Sequence, residues 1–304
     1  MTRCLSCAEV LPDDRRRYHT KCLRVLFGTE ELPGIDIDLA RLHTLALSMV
    51  GRVSLSGVQR KLSVQLDSTR ATLQIALANG RFVLKPQAGT FPNLPENEWV
   101  TQRLAELAGI EVPPAALVEL TDGTWAYLVR RFDRRDDGSK LAMEDFCQLA
   151  ELPPSGKYDG SAERCGQLVK RYVSEPLVDL LRLYRQFVFT WWVGNGDLHL
   201  KNLAILRGDD QRWRLSPAYD QLNTRLVLPD DPLALPLCGK RDNLKPETWR
   251  TLAERFGIGP KAAERVLAET RAALPGAIEV VRDSPLPAAM REQYEQLLTE
   301  RAPH

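Results

Sequence analysis

The sequence predicts an α+β protein of two lobes, a small β-rich lobe and then a mainly helical one, preceded by a short metal-binding module. Three observations predict it. Between residues 51 and 130, alternating apolar and polar runs such as Leu62-Ser63-Val64-Gln65-Leu66 are separated by turn residues, as half-buried strands are. Past Lys140 the apolar spacing turns helical, and proline stands at or near the start of the segments at 246, 260 and 287. The first 22 residues hold three cysteines and a histidine in two close pairs. We expect residues 1–48 to form the module and a linking helix, 49–133 the β-rich lobe and 134–304 the helical lobe.

Composition narrows the function classes. Lys and Arg number 41 against 40 Asp and Glu, which argues against sequence-independent nucleic-acid binding over the whole surface. Hydrophobic residues make up 44% of the 304, enough for a real core. No apolar run approaches the roughly 18 residues of a membrane span, and no apolar segment follows Met1-Thr2-Arg3-Cys4. A cytoplasmic protein with reduced cysteines is expected, with no membrane partner and no direct nucleic-acid binding.

In the module, Cys4-Leu5-Ser6-Cys7 is followed by His19 and Cys22. A Cys-x2-Cys and a His-x2-Cys pair supply four soft or borderline ligands, the set that tetrahedral structural zinc takes. The turn Pro12-Asp13-Asp14 separates the pairs. So short a module cannot bury a core of its own, and metal is expected to fold it. Cys147, Cys165 and Cys238 lie far apart and read as ordinary buried residues. Residues 23–28 read as a helical or turn segment and Pro33-Gly34-Ile35 as a break. Ile37, Leu39, Leu42, Leu45, Leu47 and Val50 have the spacing of an amphipathic helix.

The β-rich lobe opens on Gly51 and a stretch of small residues with the single glycine Gly57. A hairpin of this kind can lay backbone N–H groups and Lys61 over phosphates. The strand Arg81-Phe82-Val83-Leu84-Lys85-Pro86 presents Lys85 where a kinase strand lysine meets the α- and β-phosphates. Residues 96–109 form a helix with Val100, Leu104 and Leu107 on its apolar face and Gly109 at its end. Glu98, in its first turn, is the candidate partner that holds Lys85 charged. The strands at 117–120 and 125–129 flank Asp122-Gly123, a hairpin signal. The connector Arg130-Arg131-Phe132-Asp133-Arg134 follows, where backbone groups of a kinase hinge read adenine.

The chemistry centres on Gly194-Asn195-Gly196-Asp197-Leu198-His199-Leu200-Lys201-Asn202, which follows the apolar, aromatic run at 187–192. Two glycines break the helical pattern and put Asp197 on a tight turn. Asn202 stands five residues beyond Asp197, the spacing of a kinase catalytic loop, where the Asp accepts the substrate hydroxyl proton and the Asn holds a metal ion. Ser216-Pro217-Ala218-Tyr219-Asp220 supplies a second carboxylate after a short apolar strand. Two carboxylates and an amide carbonyl are hard oxygen donors suited to magnesium carrying a nucleoside triphosphate. The expected fold is therefore the bilobal protein-kinase-like one, and the expected activity phosphotransfer. Glycine, Asn and Asp also crowd loops for conformational reasons alone, so the loop gains its meaning from the rest of the chain. Residues 221–243 have poor periodicity and read as the segment shaping the substrate site. Helices are expected over 246–256, 260–273 and 287–301.

Seven stretches together resemble the HipA family of toxin serine/threonine kinases. They are Ser54-Leu55-Ser56-Gly57-Val58-Gln59-Arg60-Lys61, Leu84-Lys85-Pro86, Asn97-Glu98, Arg131-Phe132-Asp133-Arg134, Glu144-Asp145-Phe146-Cys147-Gln148, Gly196-Asp197-Leu198-His199-Leu200-Lys201-Asn202 and Leu215-Ser216-Pro217-Ala218-Tyr219-Asp220. They occur in family order between roughly residues 51 and 245. The short form is most similar to the HipT branch, whose systems comprise HipB, HipS and HipT, through Phe91-Pro92-Asn93-Leu94-Pro95-Glu96-Asn97-Glu98 and Leu233-Ala234-Leu235-Pro236-Leu237.

The resemblance implies ATP and Mg2+ as cofactors, Asp197 as catalytic base, and Asn202 and Asp220 as magnesium ligands. It implies nucleotide contacts from Ser56, Gly57, Val58, Gln59, Arg60 and Lys61, from Lys85 and its partner Glu98, and from Arg130, Arg131 and Phe132. It also places His199, Lys201 and Tyr219 near the nucleotide. In the family, serines of the phosphate-covering loop are autophosphorylated and the modified loop inactivates the kinase; Ser54 and Ser56 match them. Implied partners are a protein substrate of the aminoacyl-tRNA synthetase class, a DNA-binding antitoxin of HipB type and a small HipS-like protein. Long HipA proteins carry an N-terminal subdomain of which this sequence shows no trace, the cysteine–histidine module standing there instead. Arg130 also replaces an acidic residue of the best-known HipA form.

Two other functions compete. Gly196-Asp197-Leu198-His199 with Asn202 is also similar to the catalytic loop of aminoglycoside phosphotransferases, which act on small molecules. The paired serines Ser54 and Ser56 and the Ser216–Asp220 stretch favour the protein kinase. A nonenzymatic binding module is disfavoured by the balanced charge and by the joint presence of Lys85, Asp197, Asn202 and Asp220.

Overall fold

A computed structural model describes residues 2–13, 16–35, 37, 61–67, 69–76, 80–89, 91–135 and 137–303. Ser54, Ser56, Gly57, Val58, Gln59 and Arg60, and the linking helix expected after Ile37, lie outside the described residues. The chain divides into two compact units. The first comprises Met1–Arg103, Pro113–Ser139 and Asp283–Leu286, the second Leu104–Val112, Lys140–Arg282 and Pro287–His304.

The first unit is built on a six-stranded sheet of β1 (Gly34–Ile35), β2 (Leu62–Asp67), β3 (Thr72–Ile75), β4 (Phe82–Pro86), β5 (Ala115–Glu119) and β6 (Trp125–Arg130). The order is β1-β3-β2-β4-β6-β5, antiparallel except between β1 and β3. Leu62 and Val64 alternate inward on β2, as the pattern predicts. Gly80 precedes β4 because a methyl there would lie 2.3 Å from Ser63 Oγ and 2.8 Å from the Val64 carbonyl. The β5–β6 hairpin turns at Asp122-Gly123. Gly123 has φ +79°, and the Asp122 carboxylate accepts the Thr124 N–H at 3.0 Å.

Three expectations change here. The expected break at Pro33-Gly34-Ile35 contains strand β1. Its glycine marks a close approach rather than an end, since a Cβ at Gly34 would meet Thr72 Cγ2 at 3.1 Å. The cysteine–histidine module, with α1 (Thr20–Phe27), does not stand on metal alone. Leu11, Tyr18, Leu23, Leu26 and Phe27 share one apolar cluster with Leu62, Phe82, Leu84 and Leu128 of the sheet, and Phe27 meets Phe82 with ring centroids 5.5 Å apart. Helix α2 (Leu94–Leu107) buries Trp99, Val100 and Leu104, whereas Leu107, expected on the apolar face, is 47% exposed.

The second unit holds the antiparallel sheet β7 (Met143–Asp145), β8 (Ala204–Arg207) and β9 (Trp213–Leu215). Its helices are α3 (Phe146–Leu149), α4 (Ala162–Tyr172), α5 (Pro176–Trp192), α6 (Pro246–Phe256), α7 (Pro260–Ala272), α8 (Leu274–Arg282) and α9 (Ala288–Glu300). Proline opens α5, α6 and α7, where its missing N–H costs no hydrogen bond. Helix α8 lies between the expected helices; Pro275 falls in its first turn, where proline is tolerated. Strand β7 falls where only helix was expected. Cys147 and Cys165 are buried and Cys238 half-buried. Among the described residues no helix is long and apolar enough to cross a membrane.

Candidate active site

In the second unit, the catalytic-loop sequence is held by the end of α5. Phe187, Val188 and Trp192 fix that end in the core, and Trp192 Nε1 donates to the Leu298 carbonyl at 3.0 Å. Gly194 then turns the chain with φ +70°. Gly196 has no room for a side chain, since a methyl would lie 2.0 Å from Asp231 Oδ2 and 2.8 Å from the Pro232 carbonyl. Its N–H donates to Thr224 Oγ1 at 2.8 Å, and that hydroxyl donates to Asp231 at 2.5 Å.

Asp197 is clamped through its backbone. Its N–H donates to Asn195 Oδ1 at 3.0 Å, and its carbonyl accepts the His199 N–H at 2.8 Å and Asn202 Nδ2 at 2.9 Å. The carboxylate stays open, with the side chain half exposed; Oδ1 accepts the Tyr158 hydroxyl at 3.1 Å. His199 Nε2 lies 3.9 Å from the same oxygen. Burial holds the His199 imidazole below its ordinary value of 6.5, against the pull of the Asp197 charge. Burial, with the Asp197 charge adding to it, pushes the Tyr158 phenol up to about 12, so Tyr158 stays a donor.

Asp220 follows β9. The Ser216 N–H pairs with the Ala204 carbonyl at 2.9 Å and the Ala218 N–H with that of Glu111 at 2.8 Å. Tyr219 donates its hydroxyl to the Lys201 carbonyl at 2.8 Å and so ties this segment to the Asp197 loop. Asp220 itself has φ +55°, a left-handed conformation that is strained for a side-chain-bearing residue and is found preferentially at functional positions. Lys201 Nζ pairs with Asp145 at 3.2 Å; Asp145 also caps α3 by accepting the Gln148 N–H at 2.8 Å. The donor set suits magnesium. The Asn202 amide nitrogen is engaged by the Asp197 carbonyl, which leaves its oxygen as a candidate hard donor, with the Asp220 carboxylate as a second.

In the first unit, Lys85 on β4 is 4% exposed and Glu98 on α2 is 3% exposed, and the two form a buried ion pair. Lys85 Nζ also lies 5.4 Å from the Tyr127 ring centroid, and the Tyr127 hydroxyl bonds Gln102 Oε1. A solvated strand-end lysine is thus ruled out at this position. The Arg130 N–H donates to the Pro114 carbonyl and the Arg131 N–H to that of Arg81, each at 2.8 Å. The Arg130 guanidinium bonds the Val25 carbonyl, while Arg131 forks onto Asp133 with two 2.8 Å bonds. Burial pushes the Asp133 carboxyl up, but Arg131 and Arg134 more than offset it and hold it below the usual range. Phe132 is half-buried and Lys61 exposed. In the N-terminal module, the ligand atoms of Cys4, Cys7, His19 and Cys22 lie within 4.8 Å of one another.

Tyr158, Thr224 and Asp231 were not foreseen. They come from loops 39, 27 and 34 residues away from Asp197 in the chain, and no local pattern marks them.

Comparison with known proteins follows the same residues. The HipA-like C-terminal domain family matches residues 53–278. Y4mE of Sinorhizobium fredii, which carries a provisional kinase name, is 34% identical over 220 residues, 68% of this chain and 52% of its own. Y4dM of the same organism, similarly named, is 31% identical over 188 residues, 57% of this chain and 45% of its own. The chain thus spans about half the length of the curated relatives it matches. Among solved structures, the HipA–HipB–operator DNA complex of the Shewanella oneidensis MR-1 toxin–antitoxin system shares the fold. Its TM-score is 0.70 at 21% identity, covering 83% of this chain and 64% of that one. The Helicobacter pylori proinflammatory kinase CtkA matches with a TM-score of 0.53 at 17% identity, over 72% of this chain and 86% of its own. With both the Asp197 loop and the Lys85 strand inside the matched span, the chain belongs to the HipA-like family.

Proposed function

We propose that this protein is a serine/threonine protein kinase toxin of the HipA type, transferring the γ-phosphate of ATP to a hydroxyl of a protein substrate. The observation that carries the reading is the Asp197–Asn202 loop. Its backbone is clamped at 2.9 Å by the Asn202 amide, while the Asp197 carboxylate is left open to a substrate. Asp197 takes the proton of the acceptor hydroxyl as its oxygen bonds to the γ-phosphorus, and ADP leaves with the bond to its bridging oxygen broken. Asn202 and Asp220 would hold magnesium, which supplies charge neutralisation on the phosphates. Lys85, paired with Glu98, meets the α- and β-phosphates.

Further roles rest on the family resemblance. Ser54 and Ser56 are the autophosphorylation sites, where an added charge of about −2 repels the triphosphate. The protein substrate belongs to the aminoacyl-tRNA synthetase class. A HipB-type antitoxin is the expected partner, supported by the HipB and operator DNA in the matching Shewanella complex, and a small HipS-like protein is a second.

The test is transfer of labelled γ-phosphate from ATP by the purified chain, with itself and cell lysate as acceptors. Asp197→Asn is expected to lower transfer by about 10²–10⁴-fold, the range of a lost general base, with unfolding unchanged because the backbone contacts remain and the Asn oxygen can still accept the Tyr158 hydroxyl. Equal transfer by wild type and variant would overturn the reading. Label passing only to small molecules would favour the aminoglycoside-phosphotransferase-like alternative, which the similar loop Gly196–Asn202 keeps in play.

A further inference from the structure

We infer that Cys4, Cys7, His19 and Cys22 bind one zinc ion, and that this ion fastens the N-terminal module over the open edge of the six-stranded sheet. The inference is independent of the phosphotransfer reading. The donors are three thiols and one imidazole, all within 4.8 Å of one another. That set and that number favour tetrahedral zinc over hard cations, and four protein ligands leave no open position.

The surroundings are those of a ligand site. Nε2 of His19 lies 3.2 Å from the Val10 carbonyl, which can only accept, so this nitrogen carries the proton. The unprotonated Nδ1 is then the one directed at the cluster, 3.4 Å from Cys7 Sγ. The His19 backbone N–H points at Cys4 Sγ at 3.3 Å, so the sulfur is held from a second side by the same residue. Cys4 and Cys7 sit on a tight turn closed by Ala8 N–H to the Cys4 carbonyl at 2.9 Å, with Ala8 at φ +61°. Cys22 is placed by the first turn of α1.

The position of the cluster gives the ion its task. Among the described residues strand β5 pairs with β6 alone and is the last strand of the sheet. An unpaired edge is a template for other chains unless it is covered. Here three outward groups of β5 are taken by residues that each adjoin a ligand. The Leu117 N–H donates to the carbonyl of Leu5, next to Cys4, at 2.9 Å. The Leu117 carbonyl accepts the hydroxyl of Tyr18, next to His19, at 2.7 Å. The Ala115 carbonyl accepts the hydroxyl of Ser6, next to Cys7, at 2.9 Å. Leu5 and Ser6 lie between the ligands Cys4 and Cys7, and Tyr18 directly precedes His19, so ligands and edge contacts share the same short segments. An ion joining the loops holds all three contacts in register.

Elemental analysis and native mass spectrometry of the full chain, beside amide hydrogen exchange, test both parts. One zinc per chain is expected for wild type and for His19→Cys, which keeps four donors. None is expected for the Cys4→Ser, Cys22→Ser double variant. Folded wild type without zinc after incubation with one equivalent and desalting, or a double variant that still holds one zinc, would overturn the site. After chelation of wild type, exchange at the Leu117 amide is expected to rise about tenfold or more, with Leu84 on central β4 keeping its protection. An unchanged Leu117 amide after zinc loss would overturn the fastening role. Equal loss of protection at Leu117 and Leu84 would overturn it too, by showing an ion that folds the whole sheet.

Discussion

Gly196 and His199 show what single positions contribute to the loop. With Asp231 Oδ2 at 2.0 Å and the Pro232 carbonyl at 2.8 Å from any added methyl, Gly196→Ala must displace the Thr224–Asp231 pair. A loss of about 1–3 kcal/mol is expected in urea unfolding, typical of overpacking; an unchanged midpoint would show that the loop yields freely. His199 carries a pH signature. Burial lowers its folded-state value below 6.5, so the unfolded chain takes up a proton more readily than the folded one. The linked stability is complete above the ordinary imidazole value and declines as pH falls from there toward the folded value. His199→Gln is therefore expected to flatten the fall of the thermal midpoint as pH drops below the ordinary imidazole value. Parallel curves for wild type and variant would assign the acid sensitivity to other groups.

At the scale of elements, strand β4 and helix α2 are coupled through the buried Lys85–Glu98 pair. Removing one partner leaves a charge without its counter-ion, so Lys85→Met is expected to cost about 3–5 kcal/mol in chemical unfolding. The double variant Lys85→Met, Glu98→Leu is expected to recover most of that, because it removes both desolvated charges. A double variant as unstable as the single one would mean the pair is not the coupling element. The candidate pairing was legible because a strand lysine and a first-turn glutamate are recognisable types. Its burial was not, since that depends on Tyr127 and Gln102 closing over it from β6 and α2. The same division holds for β1 and α8. Gly34 and Pro275 carry punctuation signals that their partners override, Thr72 in the one case and the proline-tolerant first turn in the other.

For the whole molecule, the near-equal count of 41 basic and 40 acidic residues leaves recognition to local sites rather than to a global field. A protein using ATP and magnesium gains stability from them by mass action. At about 100 times the dissociation constant, magnesium-ATP is expected to add about 2.7 kcal/mol to the folded chain, read as a rise in thermal midpoint. Asp220→Asn should show a smaller rise. No rise with wild type at any nucleotide concentration would count against ATP as the donor.

Local sequence sufficed to nominate the candidate chemistry-bearing groups and to mark most of the elements that carry them. Spacing between residues such as Asp197 and Asn202, or Cys4 and Cys7, is a property of one short segment, and short segments adopt their turns locally. Only the tertiary structure decided what surrounds those groups. Tyr158 on the Asp197 carboxylate, Asp231 beneath Gly196 and the Leu5, Ser6 and Tyr18 contacts to the β5 edge all join segments distant in the chain. Such pairings follow from how cores pack and from which backbone groups remain to be satisfied, and no local pattern records either.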